Sequence, residues 1–289
     1  MKEGKALNSI ALGNFDGVHI AHMQVLKAAA EHPCSLCLLF KKHPYEVLTG
    51  KNPERIYPPE ICEKKIYACG IEKIEYLDFE EIMDYSPERF FREILVGRFN
   101  AGVISCGYNY TFGAEKSGNT TTLKSLCAEE GIKLIVSPKV EYKNEAVSSS
   151  RIRRAIKEGK IEDANKMLGT AYLYSGTIEK GKQLGRTLGF PTINQYFGEE
   201  VIKPLSGVYE SEVILKGKKY KGLTNIGDNP TLGKDSFRSE TYVFGFGEEV
   251  YGETASVFLK RFVREEKKFS SVDELKKQVL NDIERVKNV

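Results

Sequence analysis

The sequence predicts an α/β domain built on a parallel sheet, followed by a small antiparallel barrel or sandwich and a C-terminal helix. Three observations predict it. Over the first 135 or so residues, short apolar runs alternate with helical patterns, which argues a parallel sheet covered on both faces. Near Thr170 the pattern changes to short β-type segments separated by Gly, Pro and Asn turns, the mark of a compact antiparallel fold. The chain then finishes in an amphipathic segment, Val272–Val286, with Leu275, Val279, Ile283 and Val286 on one stripe.

In order, strands are expected at Ser9–Leu12, Ser35–Phe40, Ile74–Leu77, Gly102–Ser105 and Lys133–Val136. Helices are expected at Ile20–Ala30, Pro59–Ala68, Pro87–Arg98 and Thr121–Glu130, then at Arg151–Lys157 and Ile161–Leu168. In the first helix Ile20, Met23 and Leu26 share a stripe. The second domain offers β-segments at Tyr172–Ile178, Gly207–Leu215, Tyr220–Ile226, Glu240–Phe246 and Ala255–Phe262. The division therefore falls near residue 170, giving domains 1–170 and 171–289.

Bulk properties narrow the function. The 289 residues are 41% hydrophobic and 29% charged, enough for two ordinary cores and too apolar for disorder. No run of about 18 apolar residues is present, so no membrane span is expected. The N-terminal segment reads as a strand rather than a secretory signal. Net charge is +3 with both signs interleaved, and no basic stripe carries aromatics, so no nucleic-acid partner is expected. All six cysteines precede residue 128 and are expected to be reduced thiols of a cytoplasmic protein. Cys34 and Cys37 form a C-x-x-C inside an apolar strand pattern with no second pair to complete a zinc site.

The first candidate site follows strand one. Gly13-Asn14-Phe15-Asp16-Gly17-Val18-His19-Ile20-Ala21-His22 joins that strand to the first helix. Ligands of open parallel sheets sit at the carboxyl ends of strands, where a helix N-terminus offers free N–H groups to phosphate. Gly13 and Gly17 permit a close backbone approach, with Phe15 and Asp16 in the same loop. His19 and His22, three apart, share one face and can both donate to one triphosphate. Two ordinary polar residues at a helix end would look the same; a zinc pair is disfavoured because the Glu of His-Glu-x-x-His is absent. Ser149, Ser150 and Arg153 open a later helix and form a second anion cradle or simply a cap.

The second candidate site is the glycine-rich stretch from Gly176 to Asn194, which includes Gly181, Gly185 and Arg186 and lacks Walker A spacing. Thr192 and Asn194 supply neutral oxygens, which together with phosphate oxygens suit Mg2+. A glycine-rich hairpin is the plain alternative. All four histidines precede residue 44, so a general base in this domain is expected to be a carboxylate. Glu240, at the head of an apolar segment, is the candidate, against the alternative of an exposed strand-end glutamate.

These motifs resemble the bacterial bifunctional riboflavin kinase/FAD synthetase family over about residues 7 to 285. The N-terminal stretch is similar to the H-x-G-H signature of nucleotidyltransferases. Phe40–Pro44, Gly107–Gly113 and Val147–Arg153 are similar to further family segments. Gly185-Arg186-Thr187-Leu188-Gly189-Phe190-Pro191-Thr192-Ile193-Asn194 is similar to the riboflavin kinase signature, and Gly207–Tyr209, Asn225–Thr231, Val250–Gly252 and Arg264–Phe269 follow in the family's order. Ala21, Lys42, Ile193, Leu168–Tyr172 and Gly245 depart from it.

The resemblance implies a Rossmann-like FMN adenylyltransferase domain and a β-barrel riboflavin kinase domain. ATP, riboflavin and FMN would be the substrates, with Mg2+ accompanying ATP. It implies His19, His22, Ser149, Ser150 and Arg153 at ATP phosphates, Asn109 and Arg264 at the flavin, Thr192 and Asn194 at Mg–ATP, and Glu240 as base on the riboflavin hydroxyl. Ala21, in place of glycine, leaves room for a kinase-only reading in which the N-terminal domain binds nucleotide weakly. An RNA-associated or regulatory module and an aminoacyl-tRNA synthetase-like protein are the remaining alternatives. The modest charge argues against the former, and the lack of a K-M-S-K-S-like segment against the latter.

Overall fold

Parallel sheets are generally covered on both faces, and the first two strands are buried along most of their length. The structure, a computed structural model, describes residues 7–181, 184–228 and 237–287. Strands β1 (Asn8–Leu12), β2 (Ser35–Phe40), β3 (Lys73–Leu77), β4 (Ala101–Gly107) and β5 (Lys133–Ser137) form one parallel sheet in the order β3-β2-β1-β4-β5. Helices α1 (Ile20–Ala30), α2 (Pro59–Ala68) and α3 (Thr120–Glu129) provide crossovers. A fourth crossover is Pro87–Arg89, continuing as the wider π-helical Phe90–Arg98.

Side-chain alternation divides the core between the two faces of this sheet. Ile10, Leu12, Leu36 and Leu38 join the cluster under Phe90, Phe91 and Leu95. Ala11 and Cys37 join the opposite one, beneath Val25, Leu26 and Ile66. Cys37 is thus a core thiol, and Cys34 lies just before β2; both are free. Ser105 of β4 donates to the Val25 carbonyl at 2.9 Å and fixes α1 on the sheet.

The strand order also locates a crevice. Chain connection runs outward from β1 through β2 to β3, then returns to β4 on the other side. Between β1 and β4 the direction of winding reverses, and ligand sites form at such switch points beyond the strand carboxyl ends. The loops leaving those two strands are Gly13–His19 and Tyr108–Asn109.

The second unit holds α4 (Ser149–Lys157), α5 (Ile161–Leu168), β6 (Tyr172–Thr177), β7 (Thr192–Tyr196), β8 (Gly207–Leu215), β9 (Lys218–Asp228), β10 (Phe237–Val243), β11 (Thr254–Glu265) and α6 (Val272–Lys287). Its strands form an antiparallel sheet ordered β6-β11-β8-β9-β10-β7, curled into a half-barrel. The edge strands meet where Gln195 donates to the Gly176 carbonyl at 2.7 Å and Glu179 bridges to Asn194. Inside, the hydroxyls of Ser211, Thr224 and Thr241 pair across β8, β9 and β10 at 2.8 and 2.9 Å. Outside, α6 covers Val208 and Leu223 with Ile283 and Val286.

One expectation changes: the strand β7 follows Pro191 inside the stretch read only as a glycine-rich loop. By contact, the compact units are Met1–Ser149 and Ser150–Val289, so α4 beyond Ser149 and α5 pack with the second. The reason is local: Asn165 on α5 donates to the Leu259 carbonyl of β11 at 2.8 Å and accepts from the Tyr172 amide. On α4, the Ile156 carbonyl accepts from the Leu205 amide at 3.2 Å. Ile156, Ile161, Ala164, Met167 and Leu168 are buried.

Burial of large apolar side chains is worth about 1.5–3 kcal/mol each. A polypeptide of residues 150–289 is therefore expected to unfold cooperatively in urea, and one of residues 171–289 to lose more than about 3 kcal/mol against it. Circular dichroism during denaturation measures the difference; equal midpoints would show that α4 and α5 contribute nothing to the barrel.

Candidate active sites

Apolar anchoring sets the N-terminal loop. Phe15 and Val18 are 1% and 0% exposed, yet both hold positive φ, at 48° and 42°. Non-glycine residues adopt that region at a cost of about 1–3 kcal/mol, sustained here by burial. Gly17 has φ of 81°, and a Cβ there would lie 2.7 Å from Ile56 Cδ1, so glycine is required twice over. Gly13 packs against the Phe15 ring, which a Cβ would approach to 3.1 Å.

Asp16, expected at phosphate, is committed to the scaffold. Its Oδ1 accepts from the Ile56 amide at 2.9 Å, and its backbone carbonyl accepts from Ser149 Oγ at 2.8 Å. Ser149, the last residue of the first unit and the first of α4, thereby fastens the loop of its own unit. Ser150 and Arg153, one turn along the same helix, hydrogen-bond each other at 3.2 Å. Asn109 lies exposed in the turn after β4, 3.5 Å from where a Cβ of Gly107 would be.

His19 is the N-cap of α1, with Nδ1 accepting from the His22 amide at 3.2 Å. The two rings stack at 3.5 Å between centroids, 17° apart, and Phe15 meets His22 edge-on at 5.3 Å. Burial lowers the His19 pKa to about 4, and burial with the neighbouring His19 pushes His22 well below its usual value. Both imidazoles are therefore neutral at pH 7. Because Nδ1 of neutral His19 is an acceptor, its proton sits on Nε2, leaving an N–H donor at the head of the helix.

In the second unit, antiparallel register assembles the site. Asn194 of β7 pairs with Glu240 of β10, which pairs on its other side with Asn225 of β9. Directly opposed residues project to the same face, so these three side chains form one outward row. Thr192, two residues before Asn194, shares the face, while Gln195 turns inward to the Gly176 and Ala255 carbonyls. Glu240 was expected at the head of its strand; it is the fourth of seven residues, because Arg238 and Ser239 already pair with Tyr196 and Gln195.

The glycine-rich loop lies against this row. A Cβ at Gly181 would fall 2.6 Å from Asn194 Oδ1, and one at Gly185 would fall 2.4 Å from the Phe190 carbonyl oxygen and 3.5 Å from Thr192 Oγ1. Phe190 seats the loop by meeting the Tyr242 ring edge-on at 5.7 Å. Lys182 and Gln183 of this loop, and Asn229, Pro230 and Thr231 of the Asn225–Thr231 segment, lie outside the described residues.

Two expected ligand residues have partners within the protein. Arg264 donates from Nε to Asp282 of α6 at 2.8 Å and from a terminal nitrogen to the Glu265 carbonyl at 2.9 Å, and so fastens the last helix. Arg186 is exposed and faces Glu249 at 3.8 Å. Conversely, a polar cleft beside Glu240 is lined by Asn225, Gly227, Asp228 and Glu266, which fall in segments already matched to the family, and by Arg238, which does not. Arg238 hydrogen-bonds Glu240 within this cleft. Its position two residues before Glu240 on one strand face was the available signal. Partial burial, together with the carboxylates of Asp228 and Glu240, pushes the Glu266 carboxyl up against the lowering effect of Asn225 and Arg264. No group of three or more His, Cys, Asp or Glu residues suited to a metal occurs among the described residues.

A depressed histidine pKa favours the folded state above the unfolded value of 6.5 and loses that advantage as pH falls toward about 4. Wild type is expected to lose about 2–3 kcal/mol more than His19→Asn between pH 7 and 4.5. Asparagine keeps the N-cap acceptor but does not titrate. Urea titrations across that range measure it; parallel profiles would mean His19 is not held neutral.

Comparison with known proteins agrees with this two-site organisation. The FAD synthetase family matches residues 2–151 and the riboflavin kinase family residues 168–289. A protein of Buchnera aphidicola named bifunctional riboflavin kinase/FMN adenylyltransferase is 33% identical over 99% of this chain and 95% of its own. Proteins of the same name from Listeria monocytogenes and Bacillus subtilis are 33% and 32% identical, covering 94% and 98% of this chain and 89% and 92% of theirs. A crystal structure from Streptococcus pneumoniae, described as a macrolide-efflux protein, superposes with a TM-score of 0.90 at 30% identity over 100% of this chain and 96% of its own. No helix among the described residues is long and apolar enough to cross a membrane. With both halves matched and the identity sustained from end to end, the chain belongs to the bifunctional riboflavin kinase/FMN adenylyltransferase family.

Proposed function

We propose that this chain phosphorylates riboflavin to FMN and adenylylates FMN to FAD, with ATP as co-substrate in both reactions. The observation that carries the kinase reading is the row Asn194–Glu240–Asn225 lying under Gly181 and Gly185. Glu240 takes the proton of the terminal ribityl hydroxyl. The oxygen attacks the γ-phosphorus of ATP, and ADP leaves. The absence of side chains at Gly181 and Gly185 lets their backbone sit close against Asn194 and the Phe190 carbonyl, beside the row.

Donor chemistry at Thr192 and Asn194 fits a magnesium ion. Both are neutral oxygen donors on one strand face, and Mg2+ takes few protein ligands beside phosphate and water. When bound there, the ion supplies neutralising charge to the transferring phosphoryl group.

In the first reaction centre the FMN phosphate attacks the α-phosphorus of ATP and pyrophosphate leaves. Neutral His19, with its Nε2 proton, and His22 donate to the oxygens on which charge gathers. Ser149, Ser150 and Arg153 are assigned to the phosphates and Asn109 to the flavin on the family likeness. The functional division is placed at residue 170, with α4 and α5 packed on the barrel side. A cytoplasmic setting suits six cysteines that are all unpaired.

Glu240→Gln is expected to lower FMN formation from riboflavin by about 10²- to 10⁴-fold and to leave FAD formation from supplied FMN unchanged. His22→Ala is expected to do the reverse. Chromatographic separation of flavins after incubation with Mg–ATP reads both. Equal loss of the two activities in either variant would refute two independent centres.

A further inference from the structure

A buried guanidinium on the catalytic strand has no role in the reaction as described so far. Arg238 lies two residues before Glu240 on β10, on the same face, with its side chain 7% exposed. It pairs in register with Tyr196 and Gly227. Its ion-pair partner is Glu240 Oε1, and its Nη1 is buried with no hydrogen-bond partner among the described residues. Burying an arginine is unfavourable unless its charge and donors are satisfied. Here a single carboxylate, itself 36% exposed, does most of that. A scaffold arginine elsewhere in this unit is treated differently: Arg264 is gripped by a fully buried Asp282 and a backbone carbonyl.

We propose that Arg238 is a positioning residue for phosphoryl transfer to riboflavin, gripping one oxygen of the Glu240 carboxylate so that the other is presented to the ribityl hydroxyl. The inference rests on the assignment of Glu240 as base. A carboxylate on a glutamate stem has three rotatable bonds, and a fixed second contact removes most of that freedom before substrate arrives. As the O–P bond forms, the hydroxyl proton passes to Glu240 Oε2, and the bond to the bridging oxygen breaks with its electron pair leaving on ADP. Oε1 stays with Arg238 throughout.

The groups around Glu240 single out Arg238 as its contact. Asn194 on β7 and Asn225 on β9 flank it and are neutral. Asp228 at the end of β9 and Glu266 beyond β11 line the same cleft. Arg264 of β11 is paired to Asp282 of α6. Among the described residues Arg238 is therefore the cation in direct contact with Glu240.

The test uses the full-length chain with riboflavin and Mg–ATP, with FAD formation from FMN as an internal control of folding. Arg238→Met is expected to lower kcat for riboflavin phosphorylation about 10- to 100-fold with less than about threefold change in the riboflavin KM. Arg238→Lys, which keeps charge without the fork, is expected to restore only part of kcat. In a Glu240→Gln background, Arg238→Met is expected to add no further loss. Unchanged kcat in Arg238→Met, or a change confined to KM, would overturn the proposal. If Arg238→Met also loses FAD formation, Arg238→Lys decides alone: full wild-type kcat there overturns it. Full kinase activity in Glu240→Gln by itself would instead remove the base assignment on which this rests.

Discussion

A single residue of slip between β10 and β7 would dismantle the kinase centre. Side chains alternate faces along a strand, so such a shift would send Glu240 into the barrel and Ser239 out beside Asn194. The inward hydroxyls of Thr224 and Thr241, the inward amide of Gln195 and the outward contact of Phe190 on Tyr242 all oppose that shift. The chemistry thus depends on ordinary core packing on the opposite side of the sheet. The same register brings the glycine loop down on Asn194, where no larger residue than Gly181 fits.

The N-terminal centre relies on a different constraint, a strained turn held by apolar burial. Phe15 and Val18 keep left-handed backbone because their side chains are sealed in the core and Gly17 abuts Ile56. Asp16 then spends its polar groups joining the turn to Ile56 and Ser149. The outcome is a helix start whose first polar side chain, His19, is already oriented by its own cap bond. Preorganisation of this kind lets a neutral donor meet developing charge without reorienting.

The two candidate sites therefore differ in their electrostatics. One presents buried, neutral imidazoles whose low basicity follows from desolvation. The other concentrates ions, with Arg238, Glu240, Asp228 and Glu266 around one open cleft. Arg264 and Asp282 keep α6 over the apolar patch beside that cleft, which separates a fastening role from a reactive one on the same face of the sheet.

Local periodicity was enough to read α1, α2, α4, α5 and α6 close to their observed ends, and glycine spacing was enough to mark both loops. Helical contacts join residues three and four apart, so a short window of sequence contains both partners. The same locality made His19 and His22 legible as a pair. Strand pairing joins residues far apart in the chain, and no window contains both Asn194 and Glu240. The strand β7, the mid-strand place of Glu240, the grip of Arg238, the capture of Arg264 by Asp282 and the packing of α4 and α5 against the barrel side were consequently settled only by tertiary structure. Asp16 shows the same limit: its bond to the Ile56 amide comes from another segment and is invisible in the local sequence.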